Sequence, residues 1–184
     1  MKVLGIVGSL RKASFNKALM AAALELAPPD MSIDVFDLEG IPPFNADLEP
    51  QPPARVVEMK ARIRGSDAIL FATPEYNYSI PGVLKNAIDW ASRPYGDNAF
   101  DGKPVTLMGA STGQIGTARA QYHLRQSFVF LNMYPVIQPE VMVTFVEGKV
   151  DQSGRLNDEA ARQKIKELLT SLAAWTRKLS AQST

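Results

Sequence analysis

Val3-Leu4-Gly5-Ile6-Val7-Gly8-Ser9-Leu10-Arg11-Lys12-Ala13-Ser14-Phe15-Asn16 is the stretch around which this chain is organised. Residues 3–7 are apolar with a β-branched bias, which suits a strand buried on both faces. Ser14 has the character of an N-cap, and Phe15, Leu19, Ala22 and Leu26 then recur at helical spacing. A strand that runs straight into a helix leaves backbone N–H groups unpaired at the turn. The helix dipole adds positive potential there, so the turn is suited to an anion. Ser9, Ser14 and Asn16 supply further hydrogen-bonding groups, and Arg11 supplies charge.

The turn is neither G-x-G-x-x-G nor G-x-x-x-x-G-K-[ST], which argues against a dinucleotide pyrophosphate and a nucleoside triphosphate. A hydroxyl-lined turn without close-packed glycines better fits a terminal phosphate, as in a mononucleotide such as FMN. The competing interpretation is that Ser9 and Ser14 only cap a turn while Arg11 is solvated.

The rest of the chain narrows the field. Its 184 residues are 46% hydrophobic and 21% charged, as expected of one α/β domain with a substantial core. A formal net charge of +1 argues against a nucleic-acid binder with a strong basic field, and against an acidic electron carrier. With no cysteine, disulfides, iron–sulfur clusters and thiol catalysis are excluded. No apolar run approaches the roughly 20 residues needed for membrane insertion. The short apolar start, interrupted by Arg11 and Lys12, does not have the pattern of a signal peptide. A cytoplasmic location is expected.

Four more strands are predicted, at residues 32–38, 67–73, 105–110 and a fifth at 136–143 interrupted by Pro139. Residues 40–53 hold five prolines and are expected to form an ordered irregular loop. Helices are predicted around Val56, Met59 and Ile63, around Leu84, Ala87, Ile88 and Ala91, from about 117 to 131, and from a cap at Asn157 through Leu179. The tail after Ser180 is expected to fray. Phe128-Val129-Phe130-Leu131 is apolar all round, so this helix end either meets a second subunit or is deeply buried in the monomer. Alternating strands and helices imply a parallel sheet with right-handed crossovers and ligands beyond the strand C-termini. Three loops then converge, at 9–16, 74–78 and 111–116. Pro74-Glu75-Tyr76-Asn77-Tyr78 combines two aromatics and an amide in a restrained loop, as a flat heterocycle requires. Ser111-Thr112-Gly113 can bring main-chain amides close to a ligand.

Gly8-Ser9-Leu10-Arg11 with Ser14 and Asn16, and the run from Thr73-Pro74-Glu75-Tyr76-Asn77-Tyr78 to Ala87-Ile88-Asp89-Trp90, resemble the NADPH-dependent FMN reductase family. Within it, the chromate and quinone reductases are most similar. The resemblance implies a flavodoxin-like three-layer α/β sandwich, with a five-stranded parallel sheet in order 2-1-3-4-5 and helices on both faces. It implies bound FMN, reduced by NADPH or NADH, and a homodimer or homotetramer with each flavin near a subunit boundary. By position, Ser9, Arg11, Ser14, Phe15 and Asn16 would hold the phosphate. Pro74, Glu75, Tyr76, Asn77 and Tyr78 would flank the isoalloxazine, and Ser111, Thr112 and Gly113 would touch its far edge. Tyr78 departs from the residue common at its position in the family.

No protein nucleophile, acid or base is required, because such chemistry belongs to the cofactor. The expected activity is hydride transfer from a nicotinamide to FMN, then electron transfer to quinones or similar small acceptors such as chromate or azo compounds. Alternatives are a flavin reductase that releases reduced FMN, and a non-enzymatic electron carrier. His123 is expected on an exposed or interface helix face and not at a metal. Glu75 is expected to fix its loop. Asp37 is expected to be an ordinary strand-end residue. Arg93 is either solvated or near the NADPH phosphates, and Lys85 and Asp89 are spaced to pair.

Overall fold

The computed structural model describes residues 1–181; the part of the expected frayed tail beyond Ala181 lies outside the described residues. Strand β1 (Lys2–Val7) leads into helix α1 (Phe15–Leu26), followed by β2 (Ser32–Phe36), α2 (Ala54–Arg64), β3 (Ala68–Ala72) and α3 (Gly82–Ala91). Then come β4 (Pro104–Ala110), α4 (Ala118–Phe130), β5 (Tyr134–Pro135), β6 (Val141–Val143) and α5 (Glu159–Ser180). All pairings in the sheet are parallel, in the order β2-β1-β3-β4-β5, with β6 also on β4. This is the flavodoxin-like arrangement.

The interior strands have the near-continuous apolar character that a doubly covered sheet demands. All five residues of β3 are buried. One core packs α1 and α5 on one face, through Leu19, Met20, Ile165, Leu168 and Leu172. The other packs α2, α3 and α4 through Val56, Met59, Leu84, Ile88, Leu124 and Phe128. Phe71 of β3 meets the rings of Phe100 and Phe128 at 6.2 and 6.1 Å. Each fully buried Leu, Ile or Phe contributes about 1.5–3 kcal/mol of transfer free energy.

Several expectations need correcting. The predicted fifth strand is two short pieces that take successive lengths of the same edge of β4: Pro104 and Val105 face Tyr134 and Pro135, and Met108 to Ala110 face residues 141–143. Residues 136–140 fall between the two pieces: the Val136 N–H still donates to the Val105 carbonyl at 2.8 Å, and the gap that follows holds Pro139, which has no N–H to offer a ladder. The proline-rich loop contains one 3₁₀ turn, Ala46–Leu48, in its proline-free middle, capped by Asn45. The last helix is capped by Asp158, which accepts from the Ala161 N–H at 2.8 Å, and not by Asn157. Asn157 donates instead to Asp151. At the end of α4, Phe128 and Leu131 are core, while Val129 and Phe130 are 84% and 71% exposed. Deep burial of that whole segment is therefore wrong for this chain.

Candidate functional site

β1, β3 and β4 are the three adjacent central strands, and the loops leaving their C-terminal ends, with the first two residues of α1, carry every predicted site residue. In the first loop, Ser14 caps α1 and its Oγ accepts from the Asn16 N–H at 3.2 Å. Ser9 Oγ accepts from the Arg11 N–H at 3.3 Å, which curls the turn. The Arg11 guanidinium lies 5.1 Å from the Phe15 ring centre and stays exposed. The N–H of Phe15, in the first helical turn, has no intrahelical partner by geometry. No carboxylate occurs between Gly8 and Lys17, so the only side-chain charges in the loop are positive.

Asn16 is placed differently from a simple phosphate ligand. Its buried side chain forms two hydrogen bonds with one backbone residue of β4: Nδ2 donates to the Ala110 carbonyl at 3.1 Å, and Oδ1 accepts from the Ala110 N–H at 2.9 Å. It ties the first loop to the third across the intervening β3. The 110 backbone is thereby paired at the point where β4 stops. Gly109 precedes it because nothing larger fits: a Cβ would lie 2.6 Å from the Thr73 carbonyl oxygen and 1.9 Å from Thr117 Oγ1.

The second loop is a tight hairpin. Tyr76 and Ser79 exchange both backbone hydrogen bonds at 3.0 Å, and Asn77 and Tyr78 between them have φ of 51° and 68°. Two positive φ values are what a two-residue hairpin needs. Asn tolerates that region; for Tyr it costs about 1–2 kcal/mol. Tyr76 and Tyr78 are exposed, Tyr78 at 72%. Glu75 points the other way, into the protein, and its buried carboxylate pairs with Arg119. It also accepts from the Ala120 N–H at 3.2 Å. That amide sits at the third position of α4. Thr117, the residue at the capping position, has φ 71° and makes no side-chain cap. Its hydroxyl is turned inward, where it accepts from Gln121 Nε2 at 3.1 Å. Glu75 therefore caps α4 from another loop, and its charge complements the helix dipole. Its partner Arg119 was not legible from spacing, since 44 residues separate the two.

The third loop is pinned from below. Ser111 N donates to the Val143 carbonyl at 3.0 Å, Val146 N donates to the Ser111 carbonyl at 3.1 Å, and Ser111 Oγ donates to the Gly113 carbonyl at 3.3 Å. Thr112 and Gly113 are exposed, and among the described residues their N–H groups have no acceptor. The site thus offers a cationic, donor-lined turn, a flat aromatic hairpin, and free main-chain amides, in line along the top of the sheet. This set fits a flavin monophosphate: donors for the phosphate, an aromatic flank and amides for the ring.

Residues weighed outside the site have ordinary partners. Arg93 donates to Glu49 at 2.9 Å and stacks 3.8 Å from the Tyr95 ring centre. Lys85 and Asp89 pair at 2.7 Å along α3. Asp37 accepts from the Glu39 N–H at 2.9 Å and lies 3.6 Å from Lys17 Nζ. His123 is exposed, with Nδ1 2.8 Å from Ser79 Oγ.

Residues 1–148 match the model of a family described as NADPH-dependent FMN reductase. An NAD(P)H-dependent FMN reductase of Pseudomonas aeruginosa is 53% identical over 181 residues, which cover 97% of each chain. A 2-hydroxy-1,4-benzoquinone reductase of a Burkholderia species is 42% identical, covering 96% of this chain and 97% of that one. Among solved structures, FerB of Paracoccus denitrificans, a flavoenzyme NAD(P)H:(acceptor) oxidoreductase, superposes with a TM-score of 0.89 at 37% identity, covering 96% and 97% of the two chains. The chain belongs to the NADPH-dependent FMN reductase family.

Proposed function

We propose that this protein is an FMN-dependent NAD(P)H oxidoreductase that passes electrons to quinones and similar small acceptors. When bound, FMN supplies hydride acceptance from the nicotinamide and electron donation to the acceptor. The polypeptide supplies the seat. Ser9, Ser14, Arg11 and the first-turn amides of α1, including that of Phe15, hold the phosphate. Pro74, Glu75, Tyr76, Asn77 and Tyr78 form the flank of the ring, with Glu75 acting through the loop's anchorage. Thr112 and Gly113 offer N–H groups to the edge where charge grows on reduction, and Ser111 holds their turn. Asn16 couples the phosphate end to the ring end. No side chain is assigned as acid or base.

The observation that carries this reading is the alignment of three donor-bearing turns on adjacent central strands, joined by the Asn16–Ala110 pair. We further infer a homodimer, or a pair of dimers, that covers the exposed Val129 and Phe130. A single domain spanning residues 1–184 and a cytoplasmic location complete the proposal; no helix among the described residues is long and apolar enough to cross a membrane. The test is the visible spectrum of the purified protein, titration of the apoprotein with FMN, and stopped-flow mixing with NADPH and with NADH. Flavin absorbance that bleaches within one turnover is expected, with parallel initial-rate plots because donor and acceptor share one face. An apoprotein that ignores FMN would overturn the reading.

A further inference from the structure

Tyr78 poses a physical question that the cofactor seat leaves open. A bulky residue occupies left-handed backbone space at the tip of the second loop, where glycine would be unstrained. Something outside the hairpin has to hold it. The Arg119 guanidinium lies 3.6 Å from the centre of the Tyr78 ring, and the same guanidinium pairs through Nε and a terminal nitrogen with buried Glu75. Arg119 therefore grips both ends of the segment 75–78 at once. Its own helix is held in turn, because Glu75 caps α4 through the Ala120 N–H. One further tie, between Ser79 Oγ and His123 Nδ1 at 2.8 Å, joins the far strand of the hairpin to the next turn of α4. A lysine could not replace this arginine: stacking on a ring while pairing edge-on with a carboxylate needs a planar, multi-donor cation.

We propose that Arg119 is a positioning residue for the flavin ring: by clamping Tyr78 and Glu75 it holds the hairpin in its left-handed form. The main-chain groups of residues 76–79 are thereby preorganised on the ring's flank before FMN arrives. The proposal rests on the reading of the site given above. It differs from a general stabilising role in one respect. The grip on Tyr78 matters because Tyr78 resists the turn, so with a residue lacking that resistance the effect of losing Arg119 should shrink to that of its pairing with Glu75.

The experiment is a double-mutant cycle in the full-length protein, with R119A and R119K each made in the wild-type and in the Y78G backgrounds. Amide exchange at Tyr76 and Ser79 is followed in the apoprotein, and the flavin band shape and the rate of reduction by NADPH in the loaded protein. In the wild-type background, both arginine variants are expected to speed exchange and slow reduction by about tenfold. They should also alter the band shape, while the KM for NADPH moves less than about threefold. In the Y78G background the same substitutions should change each quantity at least about threefold less than in the wild-type background, since glycine adopts the turn unaided and only the pairing with Glu75 is then lost. Equal losses in both backgrounds would overturn the proposal, as would a wild-type-like R119A. If R119A does not fold, the lysine variant carries the cycle. A wild-type chain that takes up no FMN overturns the functional reading and this inference together. Normal FMN loading with unchanged variants overturns the inference alone.

Discussion

Asn16 shows how much one side chain can be asked to do. It belongs to the first turn of α1, yet both ends of its amide are spent on Ala110, 94 residues away. Asn16→Ala would leave a buried N–H and a buried carbonyl unpaired, at a cost of about 3 kcal/mol. Denaturant unfolding should show that loss, and FMN titration should show affinity reduced about tenfold or more as the two loops uncouple. Gly109 is constrained by volume and not by backbone angle. Gly109→Ala sets a methyl against Thr117 and the Thr73 carbonyl. Overpacking of this kind costs about 3 kcal/mol, which thermal unfolding would detect, and it should displace the third loop.

At the scale of elements, the informative feature is that loops supply what helices lack. α4 begins at a residue that does not cap it, and a carboxylate from the second loop takes over. The turn before α5 works by the same logic within itself. Asp151 accepts from the Ser153 hydroxyl and N–H, from the Arg155 N–H and from Asn157 Nδ2. These bonds, the Ser153 hydroxyl first among them, hold its pKa at about 2, below the ordinary 3.8. A carboxyl with a depressed folded pKa adds stability above its unfolded pKa and loses it as pH falls through the folded value. Wild-type protein should therefore be more stable than Asp151→Ala at neutral pH. The part of that advantage due to ionisation should fade between about pH 3.8 and pH 2, as measured by thermal unfolding across the acid range.

For the whole molecule, the exposed end of α4 is a feature that an isolated chain does not explain: two adjacent large apolar side chains stand in solvent. Val129 and Phe130 stand out from a helix whose next residue is core, beside a groove whose apolar lining, Phe44, Ile88 and Leu131, is flanked by Lys85, Asp89 and Arg93. If this face joins two copies, Phe130→Asp would bury a charge in an apolar contact and weaken association by about 3 kcal/mol or more. Sedimentation equilibrium should then find dimers for the wild type and monomers for the variant.

What the sequence determined alone was the order of elements, the parallel sheet, and the three loops that meet above it. Those follow from apolar periodicity and from turn chemistry, which are local. The long motif from Thr73 to Trp90, together with the first turn, also identified the family and its cofactor. Tertiary structure decided which groups in those loops are free and which are spent. Asn16 is occupied by Ala110, and Glu75 by Arg119 and α4; outside the loops, Arg93 is occupied by Glu49. No spacing rule reaches across 94 or 44 residues. A hydrogen bond forms with whatever the packed helices bring within about 3 Å, and that partner is chosen only when the layers close on one another.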